Sequence, residues 1–271
     1  MIRYFVSDID HTLFDANVGI PQANIDALLK LQASGITLIL ASGRTLEAMR
    51  STAERLKLKD FKGYLIGSNG AEIQRADEDE PFYRDEHDLE VLKSLVAYAQ
   101  ENELHFSLEL KGVLHYSHKD HSVIYEETLC NMKTKALRAL DEIDTSVCKL
   151  CLHLDERQDP ILMDRFVEKF KQEVACERFH PRYMDVMPFG HTKLEGIKRI
   201  LALHHHSLSE VAAIGDGGND VAMLSAVGLS AAVSNAKKEV TEVVDMVVAD
   251  VAQAGVAQFA HLILAKHHPL V

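Results

Sequence analysis

Two aspartates, Asp8 and Asp10, stand two residues apart just after the apolar run Tyr4-Phe5-Val6. A short β-rich run that feeds a carboxylate reads as a buried strand ending at a site. Two carboxylates this close repel each other unless a cation or a shared proton intervenes. The pair therefore suggests a hard metal such as Mg²⁺, an acid–base pair, or both. A second acid-bearing loop, Gly215-Asp216-Gly217-Gly218-Asn219-Asp220, follows the apolar run Val211-Ala212-Ala213-Ile214. Its glycines let the backbone approach a ligand closely, and its Asp and Asn oxygens suit Mg²⁺. Either loop alone also fits an ordinary Gly/Asn/Asp turn. Two of them, each directly after a strand, are harder to assign to chance.

The elements that must position these residues alternate between β and α. Pro21, with Ile25, Leu28 and Leu29, opens an amphipathic helix that Gly35 ends. Residues 36–41 form the next strand, and Thr45 caps a helix carrying Leu46, Met49, Ala53 and Leu56. Residues 63–66 form a third strand, and Asn69-Gly70 signals a hairpin. This order predicts an α/β fold, a Rossmann-like parallel sheet with helices on both faces. In such sheets ligands sit beyond the carboxyl ends of the strands, where Asp8, Ser42 and Asp216 all fall. The acidic run Asp77-Glu78-Asp79-Glu80 reads as a solvated turn and a crossing into a second unit. Beyond it a helical pattern from Leu89, a hairpin around Lys111-Gly112, a strand over 148–154 and a helix over 161–174 form an inserted α/β unit. The expected division is a core of residues 1–84 and 185–271 with an insertion of residues 85–184. The returning segment carries a helix over 192–203, a strand over 211–214, a helix starting over 221–226, and last strands over 229–233 and 246–248.

Composition narrows the partners. The chain has 271 residues, 47% hydrophobic and 26% charged, with a net charge of −12. That balance argues against nucleic acid, whose phosphates need stripes of Lys and Arg. A small phosphorylated ligand is still allowed, because a bound metal and a few local cations set the field inside a site. No apolar stretch reaches membrane-span length, and the N-terminus enters a strand without a signal pattern, so a cytoplasmic protein is expected. Cys148 and Cys151 have metal-ligand spacing but no second pair, and buried free thiols are the expectation for all four cysteines. His204-His205-His206 reads as a surface turn.

Four segments in this order resemble the haloacid dehalogenase-like hydrolases, and within them the Cof-type phosphatases with an α/β cap. Asp8-Ile9-Asp10-His11-Thr12 is similar to the nucleophile motif, Ser42-Gly43-Arg44 to the phosphate-clamping motif, Lys193 to the third-motif lysine, and Gly215 to Asp220 to the fourth motif. Ser68-Asn69-Gly70-Ala71 and Ser234-Asn235-Ala236 also resemble recurrent Cof-type segments. The resemblance implies a Mg²⁺-dependent hydrolysis of phosphate monoesters through an aspartyl-phosphate on Asp8. Asp10 would serve as acid and base, with its pKa raised by burial and a neighbouring charge. Metal would be held by Asp8, the Asp10 backbone carbonyl and Asp216, with Asp220 behind them. Ile9, Ser42, Gly43, Lys193 and Asn219 would hold the phosphoryl group. Arg44 would contact substrate or pair with an acid. Three places depart from the pattern: His11 stands where Gly is usual and could touch substrate, Leu194 replaces a Gly, and Gln253-Ala254-Gly255-Val256 replaces a more acidic C-terminal segment. The insertion would read the leaving group, with Arg84, His87, His115, His118 and Arg182 as candidates. The substrate would be a small phosphorylated metabolite, a sugar phosphate or a phosphorylated cofactor, and the protein a monomer or small homo-oligomer. Two other readings are a phosphomutase of the phosphomannomutase type and a receiver-like module switched by phosphorylation.

Overall fold

The computed structural model describes residues 1–267. The first part runs β1 (Tyr4–Ser7), α1 (Gln22–Ala33), β2 (Thr37–Ala41), α2 (Leu46–Arg55), β3 (Tyr64–Gly67), β4 (Glu72–Arg75) and β5 (Tyr83–Arg84). A second part follows with α3 (Leu89–Glu101), β6 (His105–Leu110), β7 (Val113–Tyr116), α4 (His121–Thr128), β8 (Lys133–Ala136), β9 (Leu150–His153), α5 (Ile161–Phe170), β10 (Ala175–His180) and β11 (Tyr183–Met187). The chain then returns through α6 (Lys193–His204), β12 (Val211–Gly215), α7 (Val221–Leu224), β13 (Leu229–Val233), α8 (Lys238–Thr241), β14 (Met246–Val248) and α9 (Gly255–His267).

The first sheet has the order β14-β13-β12-β1-β2-β3-β4-β5 and is parallel from β14 to β3. Its strands are apolar on both sides because helices cover both faces. Phe5, Leu38, Leu40 and Ile214 enter one core with α1, α2 and α9, while Tyr4, Val6, Ile39 and Ala213 enter another with α6 and α7. The central strand β1 lies between β12 and β2 with Ser7 level with Ile214 and Leu40. Register therefore brings the residues that follow β1, β2 and β12 to one rim. The second sheet has the order β10-β11-β9-β6-β7-β8 and packs its apolar face on α3 and α5.

Several expected boundaries move. Residue 185 is not where the chain leaves the second sheet: β11 stays paired with β9 and β10, its bonds running on to Met187. The helix expected to reach Val174 ends at Phe170, and Val174 still packs into the second sheet's core from the turn beyond. The helix begun at Val221 is a single turn. His204 and His206 are not free surface groups, because their rings bond the hydroxyls of Tyr64 and Tyr4 at 2.8 and 2.7 Å. His205 between them takes a left-handed φ of 56° that ends α6. The four cysteines are free. Among the described residues no helix is long and apolar enough to cross a membrane.

Candidate active site

The rim beyond β1, β2 and β12 gathers the acids. Asp8 continues the ladder, its N–H donating to the Ile214 carbonyl at 3.0 Å. Lys193, the first residue of α6, is held there by Thr192, whose hydroxyl caps the helix by accepting from the Glu195 N–H. Its buried ammonium donates to Asp8 Oδ1 and Asp220 Oδ1, each at 2.6 Å. Asp220 Oδ2 accepts the N–H groups of Asp216 and Gly217 at 3.0 Å, which folds the glycine loop around it. Gly215 permits this, because a Cβ there would sit 2.5 Å from the Asp220 carboxyl. Thr12 donates to Asp216 Oδ1 at 2.8 Å.

One oxygen from each of Asp8, Asp216 and Asp220 lies within 4.8 Å of the others. Burial pushes the Asp8 carboxyl well above the usual range; Lys193 opposes the shift, and the charges of Asp220 and Asp216 add to it. Burial also raises Asp216, against the hydrogen bond from Thr12. Two of the three carboxyl groups thus share one ammonium, the third accepts only from Thr12 among the described residues, and Asp8 Oδ2 and Asp216 Oδ2 accept none of the bonds just described. A hard divalent cation fits both this donor set and its surplus of negative charge.

Asp10 is engaged elsewhere. Arg44 grips it with two bonds, Nε to Oδ2 at 2.8 Å and a terminal nitrogen to Oδ1 at 2.6 Å. Tyr125 of α4 donates to Oδ1 at 2.6 Å and accepts from the same guanidinium at 2.9 Å. Arg44 is buried and its guanidinium lies over the rings of Phe14 and Tyr125. Burial alone would raise the Asp10 pKa, but Arg44 and the Tyr125 hydroxyl outweigh it and the carboxyl lies below its usual value. The expected raised pKa is therefore corrected: the partner is a cation from the β2 loop, not only a neighbouring acid. Arg44 is committed to this acid.

Ser42 and Gly43 follow β2, and the Ser42 hydroxyl accepts from the Arg44 N–H at 3.1 Å. Asn69 lies beside Gly43, donates to Glu177 Oε2 at 2.8 Å and accepts from the Asn219 side chain at 3.1 Å. The second sheet reaches this loop through Lys149, whose ammonium donates to the Gly43 carbonyl at 2.7 Å.

Residues 5–259 match the sequence pattern of a family described as haloacid dehalogenase-like hydrolase. The chain belongs to the haloacid dehalogenase-like hydrolases. Two relatives in Bacillus subtilis (strain 168) are YkrA, 26% identical with 92% of this chain and 93% of that protein aligned, and 5-amino-6-(5-phospho-D-ribitylamino)uracil phosphatase YcsE, 23% identical with 95% and 94% aligned. A solved haloacid dehalogenase-like hydrolase from Bacteroides thetaiotaomicron superposes with a TM-score of 0.89 at 25% identity, covering 97% of this chain and all of that one.

In this hydrolase the structure brings Asp8, Lys193, Asp216 and Asp220 into direct or near contact, with Asp10, Ser42, Gly43 and Asn219 around them. The Ile9 side chain is in the core, so only its backbone can face the site. His11 is exposed and takes φ 61°, the left-handed region that glycine favours, while its carbonyl accepts from Asn235 at 2.8 Å. The five candidates for reading the leaving group are engaged away from the rim. Arg84 pairs with Glu72, His87 meets the Val186 carbonyl, and His115 folds onto the Val113 carbonyl. His118 stacks on His105, and Arg182 meets the Glu156 carbonyl. Tyr125, Lys149, Glu177 and Asp185 stand over the rim instead. For Lys149 and Asp185 the signal was the strand alternation of Lys149 and Cys151 with Leu150 and Leu152, and of Asp185 with Met184 and Val186, while Tyr125 lies on α4 and has none.

Proposed function

We propose that this hydrolase is a phosphatase that cleaves phosphate monoesters of small metabolites by way of an aspartyl-phosphate on Asp8, with Mg²⁺ as its cofactor. The observation that carries the reading is the Asp8–Lys193–Asp220 chain at the end of β1, with Asp216 close enough to share a cation with Asp8. Mg²⁺ would be held by Asp8 and Asp216 with the Asp10 carbonyl. When bound, it would screen the negative charge that otherwise keeps a carboxylate from approaching a phosphate.

Asp8 attacks phosphorus, the bond from phosphorus to the ester oxygen breaks, and the leaving alkoxide takes a proton from Asp10. Water then attacks the same phosphorus, gives its proton to Asp10 and frees Asp8. Lys193 and the Gly43 N–H would hold the phosphoryl oxygens as charge builds on them, with Ser42 and Asn219 beside them. Asp220 fixes both the lysine and the loop. With Arg44 and Tyr125 bound to it, the pKa of the Asp10 carboxyl lies below its usual value, which favours the carboxylate required of a base. Donation in the first step requires a proton on Asp10 and exchange of its bonds to Arg44 and Tyr125. Tyr125 comes from the inserted unit, so motion of that unit gives a route to this exchange.

The test is phosphate release from a panel of phosphate esters, with and without Mg²⁺, for the native protein and Asp8→Asn. Release that needs Mg²⁺ and falls by about a thousandfold or more in the variant is expected. A variant that keeps most of its turnover, with an unchanged fold by circular dichroism, would end the covalent mechanism.

A further inference from the structure

The second sheet turns one face toward the rim. Along β9, Leu150 and Leu152 enter the apolar core, so Lys149 and Cys151 point the other way. Asp185 of β11 lies level with Cys151, and Glu177 of β10 lies level with Asp185, so all three share that face. These groups hang over the clamp loop. A Cβ on Gly43 would lie 3.3 Å from Asp185 Oδ2, and Glu177 reaches the metal-side loop through Asn69 and Asn219. Glu126 of α4, next to Tyr125, is close enough to help hold Lys149 protonated.

The acids here are not fully partnered. Asp185 is only 4% exposed, yet its Oδ1 accepts no hydrogen bond among the described residues, and neither does Glu126 Oε2. The Lys149 ammonium donates to Asp185 Oδ2 at 3.5 Å and stands 3.3 Å from Oδ1 without a hydrogen bond to it, and the Cys151 thiol beside it is a weak donor. A buried carboxylate oxygen without a donor is costly, and an incoming hydroxyl relieves that cost. Three carboxyl groups face one ammonium already shared with a backbone carbonyl. A second anion on the ligand would meet this surplus at short range.

We propose that Asp185, Glu126, Glu177 and Lys149 form the leaving-group subsite, and that it selects monophosphate esters of hydroxyl-rich, non-anionic alcohols while rejecting leaving groups that carry a carboxylate or a second phosphate. This rests on the phosphatase reading and deepens it. It also separates the protein from a mutase that depends on a bisphosphate activator, since such a ligand places its second phosphate against these carboxyl groups.

The test uses the full chain with Mg²⁺ and two matched pairs: glycerol 3-phosphate against 3-phosphoglycerate, and glucose 6-phosphate against fructose 1,6-bisphosphate. The expected kcat/KM favours the non-anionic member of each pair by about 30-fold or more. Asp185→Asn keeps the shape and removes the charge, so it lowers that preference by about tenfold, read as the ratio of kcat/KM within each pair. Glu177→Gln, at a less buried position, is measured in the same way and serves if the first variant does not fold. Equal rates on both members of each pair, or variants that slow every ester alike, would overturn the subsite. If the native protein releases no phosphate even from p-nitrophenyl phosphate, the phosphatase reading itself falls, and the subsite with it.

Discussion

The floor and the roof of this site are built on different principles. On the floor, the Lys193 ammonium and the loop N–H groups engage both oxygens of Asp220 and one oxygen of Asp8. These groups sit at the ends of adjacent parallel strands or the start of a helix, where register alone places them. On the roof, Lys149, Asp185 and Glu177 are side chains on the face of a sheet, and among the described residues Asp185 Oδ1 there, like Glu126 Oε2 on α4, accepts no hydrogen bond. The floor is complete before any substrate arrives, apart from its surplus charge. The roof is completed by what binds. Chemistry that must not vary is thus held by the backbone, while recognition is left to side chains that can change without disturbing a strand end.

The largest expected effect tests the floor. Lys193→Met leaves Asp8 and Asp220 without their common cation, and should cost about 3–5 kcal/mol in denaturant unfolding without metal and about a thousandfold in phosphate release. A stable and active variant would mean that the lysine is a bystander and that floor and roof do not differ. The next probe joins the two regions. Tyr125→Phe removes the roof hydroxyl bound to Asp10 and Arg44, and should cost about 1.5–3 kcal/mol of stability while slowing phosphate release by less than about tenfold. A loss as large as that for Lys193 would move Tyr125 into the floor.

The smallest effect concerns the roof's own support, and it depends on pH. Asp120 caps α4 and accepts from His153 Nδ1 at 2.7 Å. Burial pushes its pKa up, but His153, the Val123 N–H and His105 together bring it down to about 2. A carboxyl with a folded pKa below its unfolded value adds stability above the unfolded value, about 3.9, and loses it as pH falls toward about 2. Asp120→Asn keeps a good helix cap and removes the charge. It should cost about 2 kcal/mol near pH 7 and close to nothing near pH 2, read from unfolding curves at several pH values. A cost that does not change with pH would show that the hydrogen-bond geometry, not the charge, supports α4.

What the sequence disclosed follows the same division. Asp8, Ser42 and Asp216 could be placed because an apolar run followed by a polar residue marks a strand end without any knowledge of its neighbours. Lys193 could not be told from an exposed helix lysine except by the order of the motifs, and its burial between two acids is visible only in three dimensions. The pKa of Asp10 differs from the expectation because Arg44, 34 residues along the chain, and Tyr125, 115 residues along, both grip it, and no local pattern joins either to it. The roof residues were legible only as the polar half of an alternation. The expected His and Arg candidates are engaged elsewhere, Arg84 on Glu72 of the first sheet and His87, His115, His118 and Arg182 with groups of the second unit. The expected domain return at Asp185 falls inside β11, where that residue lies level with Cys151 and Glu177.

The central claim is that Asp8 carries the phosphoryl group between the two steps. Rapid acid quench of Asp10→Asn, which cannot readily activate water, after mixing with Mg²⁺ and p-nitrophenyl phosphate, whose leaving group departs without a proton, followed by peptide mass mapping, tests it directly. The account predicts the added mass of one phosphoryl group on the peptide that contains Asp8. That mass on another residue, or an unmodified Asp8 in protein that is releasing phosphate, would contradict it.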